Sequence, residues 1–386
     1  MTLVGIIVLQ RFAIPIGGPG VSLAFVLTLV VVLVLAVTGG LVHDLTRVLL
    51  FTAATAACGV AAWLYTLGGH QISTASFFLL IVVYLPWLFR VPESRGRQAG
   101  AAWLSRLFIR TMLAAAAVAV LQMVTQLLDV WTYVDPIKAN VAEPYLLAAY
   151  NTSIPIEYAS PIVKSQAFVF LEPSFLSQFL GLAIILGILT RIPLWQLGLL
   201  GVAMFCTYSG TGIILLAVGV VLILLRSPRS IRPSMIVLAA VALTALLLSP
   251  YAAPLLNRTS EAGDNSSSLS LRFVIPYEQV AAGLEQEPQR YLRGAGPGAS
   301  ERVLESDREG SGLAVVYTVA PKLLFEYGML AGSLFLLFFL VTLLRRGPYR
   351  VIPGSLIVML GFLSGSLLQP HVLLVAWLLS AVWARE

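Results

Sequence analysis

Apolar runs recur from one end of this chain to the other, parted by short polar or basic stretches. They fall at roughly 3–16, 21–40, 45–66, 73–90 and 107–129, then at 173–190, 193–208, 211–226 and 233–250, and finally at 320–344, 351–368 and 371–384. Many approach the ~20 residues that a helix needs to cross the hydrocarbon core of a bilayer. The short alternating segments of a membrane β-barrel are absent. The pattern predicts an all-α polytopic membrane protein, an integral membrane domain over 1–386 with about 12 transmembrane helices. Two longer polar segments interrupt it, at 130–172 and 251–319.

Composition agrees with that reading. Of the 386 residues 59% are hydrophobic and 11% charged, against about 25% charged in soluble domains. Mean hydropathy is +0.92. Cys58 and Cys206 lie inside apolar runs and read as small buried hydrophobes. His43, His70 and His371 are scattered, so no metal site and no cofactor are expected. No leading segment reads as a cleaved signal peptide. No internal repeat of the solenoid or transporter kind is visible.

Charge adds an orientation. "RVPESRGRQ" (90–98), "RSPRSIRP" (226–233) and "RRGPYR" (345–350) are short and basic, and they fall on one side of the alternation with Arg47, Arg191 and Arg385. Lys and Arg in short loops favour the cytoplasm. That side carries 14 Arg against Asp44, Glu93 and Glu386, a net +11; the other carries 7 Arg and 3 Lys against 15 acidic residues, a net −5. Both termini are then expected in the cytoplasm and both long segments outside. An Arg to Lys ratio of 21:3 suggests a GC-rich bacterium, so the sequons at Asn151, Asn257 and Asn265 read as chance. Within the larger outer segment, "IPYEQVAAGLEQEP" (275–288) has the rhythm of an amphipathic helix, and "RGAGPGAS" (293–300) reads as a glycine-proline turn.

The residues that could do chemistry stand at the outer boundary. In "FVFLEPSFLSQFL" (168–180), Pro173 suits the first helical position and Glu172 the cap before it. A carboxylate there is favoured by the helix dipole whether or not it reacts. "YSGTG" (208–212) offers Ser209 and Thr211 hydroxyls beside glycines, or simply a tight turn between helices. Arg272, Arg290 and Arg293 lie in the second outer segment. Guanidinium groups suit diphosphates, being planar, always charged and rich in paired donors. In "APKLLFEYG" (320–328), Lys322 and Glu326 are four apart and share a helix face, either as reacting groups or as an ion pair that eases charge into lipid. Arg11, in "LQRFAIPIGG", is a lone charge that could snorkel to the interface.

In order along the chain, "RFAIPIGGPGVS", "LEPSFLSQFL", "YSGTG", "SLSLRFVIPYEQVAAGLEQEPQRYLRGAGPG" and "PKLLFEYGMLAG" resemble the motifs of the Wzy-type bacterial polysaccharide polymerases, within the O-antigen polymerase and ligase superfamily. The resemblance implies a helical bundle of the glycosyltransferase C kind. It implies transfer of a growing glycan from polyprenyl diphosphate to a hydroxyl of the next lipid-linked repeat unit at the periplasmic face of the bacterial inner membrane. A chain-length regulator is the protein partner implied; no nucleic acid is. Ligases of that superfamily place a His eleven positions before the Gly at 328. This chain has Tyr317 there, followed by Thr318, and no His between 251 and 370. That departure favours a polymerase over a ligase.

The expected roles follow from charge. Arg272 neutralises the departing diphosphate, helped by Arg290, Arg293, Lys322 or Arg11. Glu172 takes the acceptor proton or orients the acceptor, with Glu326 second. Ser209, Thr211 and Tyr317 are expected to bind substrate, and the transfer to need no metal. A flippase or transporter for lipid-linked oligosaccharides is the rival from another class, and a non-catalytic scaffold is a third reading.

Overall fold

The computed structural model describes residues 2–16, 20–93, 96–148, 150–157, 160–247, 274–303, 315–345, 347–364 and 367–383. Two compact units emerge, one of Met1–Val34, Gly96–Thr259 and Pro348–Ser355, the other of Leu35–Arg95, Ser260–Gly347 and Leu356–Glu386. Regular structure among the described residues is mostly helical, with two short antiparallel strand pairs.

The first unit is built on α5 (Arg97–Leu127), α7 (Pro173–Thr190), α8 (Leu194–Cys206) and α9 (Gly210–Arg226). It also holds α1 (Thr2–Val8), most of α2 (Leu23–Val37), the short α6 (Pro136–Asn140) and α10 (Pro233–Leu247). α7 is the inner helix. Its residues from Phe175 to Ile188 are buried without interruption, as an apolar helix with no polar face demands. It ends at Arg191, which takes a left-handed conformation (φ 57°), while Ile192 N–H returns to the Gly187 carbonyl. α9 packs alongside α7. Gly212 lies against Ser177, Gly181 against the Gly212 carbonyl, and Gly219 against Ile185. Glycines at these crossings let the two backbones approach. Because contacts advance together along both helices, α7 and α9 run parallel, with their N-termini at one end.

One expected span takes another form. Instead of a helix over 3–16, α1 stops at Val8, and Ala13–Ile14 (β1) turns back against Val21–Ser22 (β2). The buried polar residues Gln10 and Arg11 break the run: Gln10 Nε2 donates to Ile7 O, and the Arg11 carbonyl accepts from Leu147 N. Arg11 and Phe12 pair with the 146–147 backbone. α5 differs in the other direction, starting at Arg97 and running 31 residues.

The second unit centres on α3 (Leu45–Leu67) packed along α13 (Val319–Leu344), with α4 (Thr74–Tyr84), α11 (Ile275–Gln286), α12 (Arg290–Arg293) and α15 (Pro370–Leu379). α14 (Val351–Val358) crosses the division of units before a π-helical turn, Met359–Leu363. Phe51, Tyr84, Trp87, Phe335, Phe338 and Phe339 form the core, with ring centroids 5.1–6.3 Å apart. One end of this unit is basic. Asp44 caps α3 through Arg47 N–H, and its carboxylate gathers Arg47, Arg90 and Arg345. Arg47 is fully buried and donates to the carbonyls of Trp87, Phe89 and Ala381.

Among the described residues, four helices, α3, α5, α7 and α13, are long and apolar enough to cross a membrane, and six further apolar helical stretches are shorter.

Candidate functional site

In the first unit the start of α7 organises the predicted residues. Glu172 sits at the cap position with Pro173 in the first turn, as the sequence predicts. Its carboxylate makes no capping bond to the helix backbone; it accepts from the Ser174 hydroxyl at 3.1 Å. The approach to Glu172 is tightly held. Ala167 and Phe168 both have positive φ, 52° and 58°. Such conformations persist where the surroundings over-determine them, and here α5 does so. Gln122 Oε1 accepts from the Gln166 and Ala167 N–H groups, Gln126 exchanges two hydrogen bonds with the Val163 backbone, and Ser165 Oγ donates to Ala119 O. The Phe168 ring stacks on Tyr133, 6.3 Å between centroids.

Arg11 is committed within this same framework. It forms a two-pronged pair with Asp135 (3.0 and 2.6 Å) and donates to the Phe168 carbonyl at 2.6 Å, at 3% exposure. Thr152 Oγ1 also donates to Asp135. Burial alone would raise the Asp135 pKa, but the hydrogen bonds from Arg11, Thr152 and the Lys138 N–H outweigh it and hold the carboxyl below its ordinary range. Arg11 therefore braces the segment that leads to Glu172. Sequence reasoning missed Asp135, whose only local signal is its place before Pro136 at the start of α6.

The Ser209 and Thr211 hydroxyls stand 3.0 Å apart at the start of α9, and Ser177 Oγ donates to the Ser209 carbonyl at 3.1 Å. Ser177 is one turn and a half beyond Glu172. The Glu172 and Ser209 sites thus share one end of the α7–α9 pair.

The second unit holds the denser cluster, at the start of α13. The helical spacing of Lys322 and Glu326 is realised as an ion pair of 3.5 Å. Glu326, 1% exposed, also accepts at Oε1 from Ser300 Oγ (2.6 Å) and Ser300 N–H (3.3 Å). Its Oε2 has no hydrogen-bond partner among the described residues. Lys322 pairs outward with Glu301, which the Ser300 hydroxyl also touches at 3.1 Å. Burial pushes the Glu301 pKa up, and the Lys322 ammonium overcomes it, leaving the carboxyl below its usual range. Ser300 and Glu301 were not predicted; they follow the glycine turn in sequence, and nothing local marks them as partners of residues more than twenty positions away.

The backbone around this cluster is unusual. α13 is broken at Gly328 (φ 78°, ψ 174°). The freed carbonyls of Phe325 and Glu326 accept from Ala295 N–H (2.8 Å) and Gly296 N–H (3.0 Å). "RGAGPGAS" thus docks into the helix break. A Cβ at Gly328 would meet the carbonyls of Arg290 and Tyr291 at 2.8 Å, and one at Gly294 (φ 61°) would overlap the Glu326 carbonyl. Arg290 and Arg293 share Glu287, at 3.2 and 3.3 Å, and Arg293 also lies over the Tyr65 ring, 5.7 Å from its centroid. The two guanidiniums exceed the one exposed carboxylate in charge. Tyr317 is 6% exposed, with its hydroxyl on Gln279 and its ring 5.2 Å from Phe325. Arg272 lies outside the described residues, as do Asn257 and Asn265.

The chain matches no protein-family model, no curated protein and no solved structure.

Proposed function

We propose that this chain is a polysaccharide polymerase of the bacterial inner membrane. It moves a growing glycan from polyprenyl diphosphate to a hydroxyl of the next lipid-linked repeat unit, at the periplasmic face. About 12 spans, cytoplasmic termini and two periplasmic segments belong to this reading. Glu172 is the base or orienting acceptor for the attacking hydroxyl, with Glu326 second. Arg272, Arg290, Arg293 and Lys322 neutralise the leaving diphosphate, and arginine replaces a metal in that role.

The observation that carries the proposal is the division of charge along α13. Near its start a buried carboxylate meets a lysine, a second carboxylate and the arginine-bearing loop. Just past its end, Arg345 joins Arg47 and Arg90 around Asp44. In this reading the acid–base and cationic groups near the start of α13 stand at the outer membrane boundary, where a lipid diphosphate would sit.

Expressing Arg272→Ala and Glu172→Gln in a strain lacking the gene, with membrane levels confirmed, tests the roles. Short or absent polymer from each is expected. Full-length polymer from both would overturn the assignment.

The break at Gly328 favours the transporter reading, since broken helices line transporter sites. The two readings part on where lipid-linked units collect when the protein is absent.

A further inference from the structure

We infer that Ser300 is a positioning residue for Glu326, presented by the glycine loop that plugs the helix break. This rests on the reading of Glu326 as part of the reaction site. The Glu326 carboxylate has two ends in different states. Oε1 is fixed by the Ser300 hydroxyl and N–H and faces Lys322. Oε2 is buried and has no hydrogen-bond partner among the described residues. A buried carboxylate oxygen left unpaired is costly. It is tolerable where an incoming donor, here a sugar hydroxyl, completes it.

Ser300 reaches Oε1 because of the loop before it. Gly294 and Gly296 both take positive φ (61° and 83°), which L side chains rarely adopt, and this turns Ala295 and Gly296 N–H onto the carbonyls freed at Phe325 and Glu326. Gly298 has positive φ as well (77°), and the Pro297 carbonyl accepts from Ser73 N–H, which ties the far side of the loop to the segment before α4. Main chain and side chain of one loop therefore grip the same residue, Glu326, by its carbonyl and its carboxylate. The Ser300 hydroxyl sets which oxygen is left without a hydrogen-bond partner among the described residues. It does not itself meet the substrate.

The test uses full-length protein in nanodiscs, supplied with lipid-linked repeat units extracted from the gene-deletion strain, and reads kcat and KM separately. Ser300→Ala should lower kcat by roughly 10- to 100-fold, the worth of a hydrogen bond to a charged group, with KM little changed. Ser300→Thr, which keeps the hydroxyl, should restore most of the rate. Thermal unfolding of each variant shows that the fold is kept. An unchanged kcat for Ser300→Ala alongside an inactive Glu326→Gln would overturn this inference alone. A Ser300→Thr variant as slow as Ser300→Ala would overturn it too. A fully active Glu326→Gln would instead remove the role of Glu326 on which it rests.

Discussion

Asp135 and Arg11 show how much of the Glu172 framework depends on one buried pair. Asp135 holds Arg11 with both oxygens, takes the Thr152 hydroxyl, and caps α6 through the N–H groups of Ile137 and Lys138. Asp135→Ala leaves a buried guanidinium unpaired, and such losses cost about 3–5 kcal/mol. A clear fall in thermal unfolding temperature is the expected result. The pH dependence has a definite sign. The Asp135 pKa is lowered in the fold, so its stabilisation is complete above the ordinary carboxylate range and drains away as pH falls through the lowered value. The melting temperature of the Asp135→Ala protein should therefore differ most from wild type near neutral pH and converge on it in acid. The pair was hidden in the sequence because its members are 124 positions apart. Lys322 and Glu326 were legible because four positions on a helix are neighbours in space. Glu172 and Pro173 were legible as a helix start for the same local reason. That Glu172 would turn to Ser174 rather than to the helix backbone was not.

Among the helices, the glycines give the sharpest contrasts. A Cβ at Gly212 would overlap Ser177 backbone and hydroxyl, whereas at Gly210 nothing lies within 4 Å. Gly212→Ala should force α7 and α9 apart at a cost of about 1–3 kcal/mol, and Gly210→Ala should be neutral to within about 0.5 kcal/mol; thermal unfolding of the two variants decides. Gly328→Ala meets both strain and steric overlap, about 1–3 kcal/mol from the backbone alone. It should expel the 293–300 loop, seen as faster proteolysis there. Helices such as α3 and α7 were legible as long apolar runs. The break in α13 was not, since a glycine within an apolar run is ordinary in membrane helices. The end of α1 at Val8 was missed because Phe12 to Ile16 is apolar enough to extend a span, while Phe12 pairs with Leu146 and Ala13–Ile14 with Val21–Ser22.

For the molecule entire, two charged clusters lie in one unit. Asp44, Arg47, Arg90 and Arg345 meet at one end, and Lys322, Glu326, Arg290 and Arg293 lie toward the start of the same long helix. The proposed topology makes a simple expectation. In a variant without Cys58 and Cys206, a single cysteine at Asn140 or Gln286 should react with a membrane-impermeant maleimide in spheroplasts, and one at Arg229 only after lysis. Reaction of all three in intact spheroplasts would contradict the orientation. Fold class was legible because a bilayer imposes length and polarity on every span; the union of distant residues into sites was not, because it depends on packing that no local pattern encodes. Polymerisation itself is tested most directly by deleting the gene and locating the lipid-linked repeat units. A polymerase deletion should leave single units displayed on the periplasmic face, with polymer restored by the wild-type gene. Single units trapped on the cytoplasmic face would contradict polymerisation and point to transport.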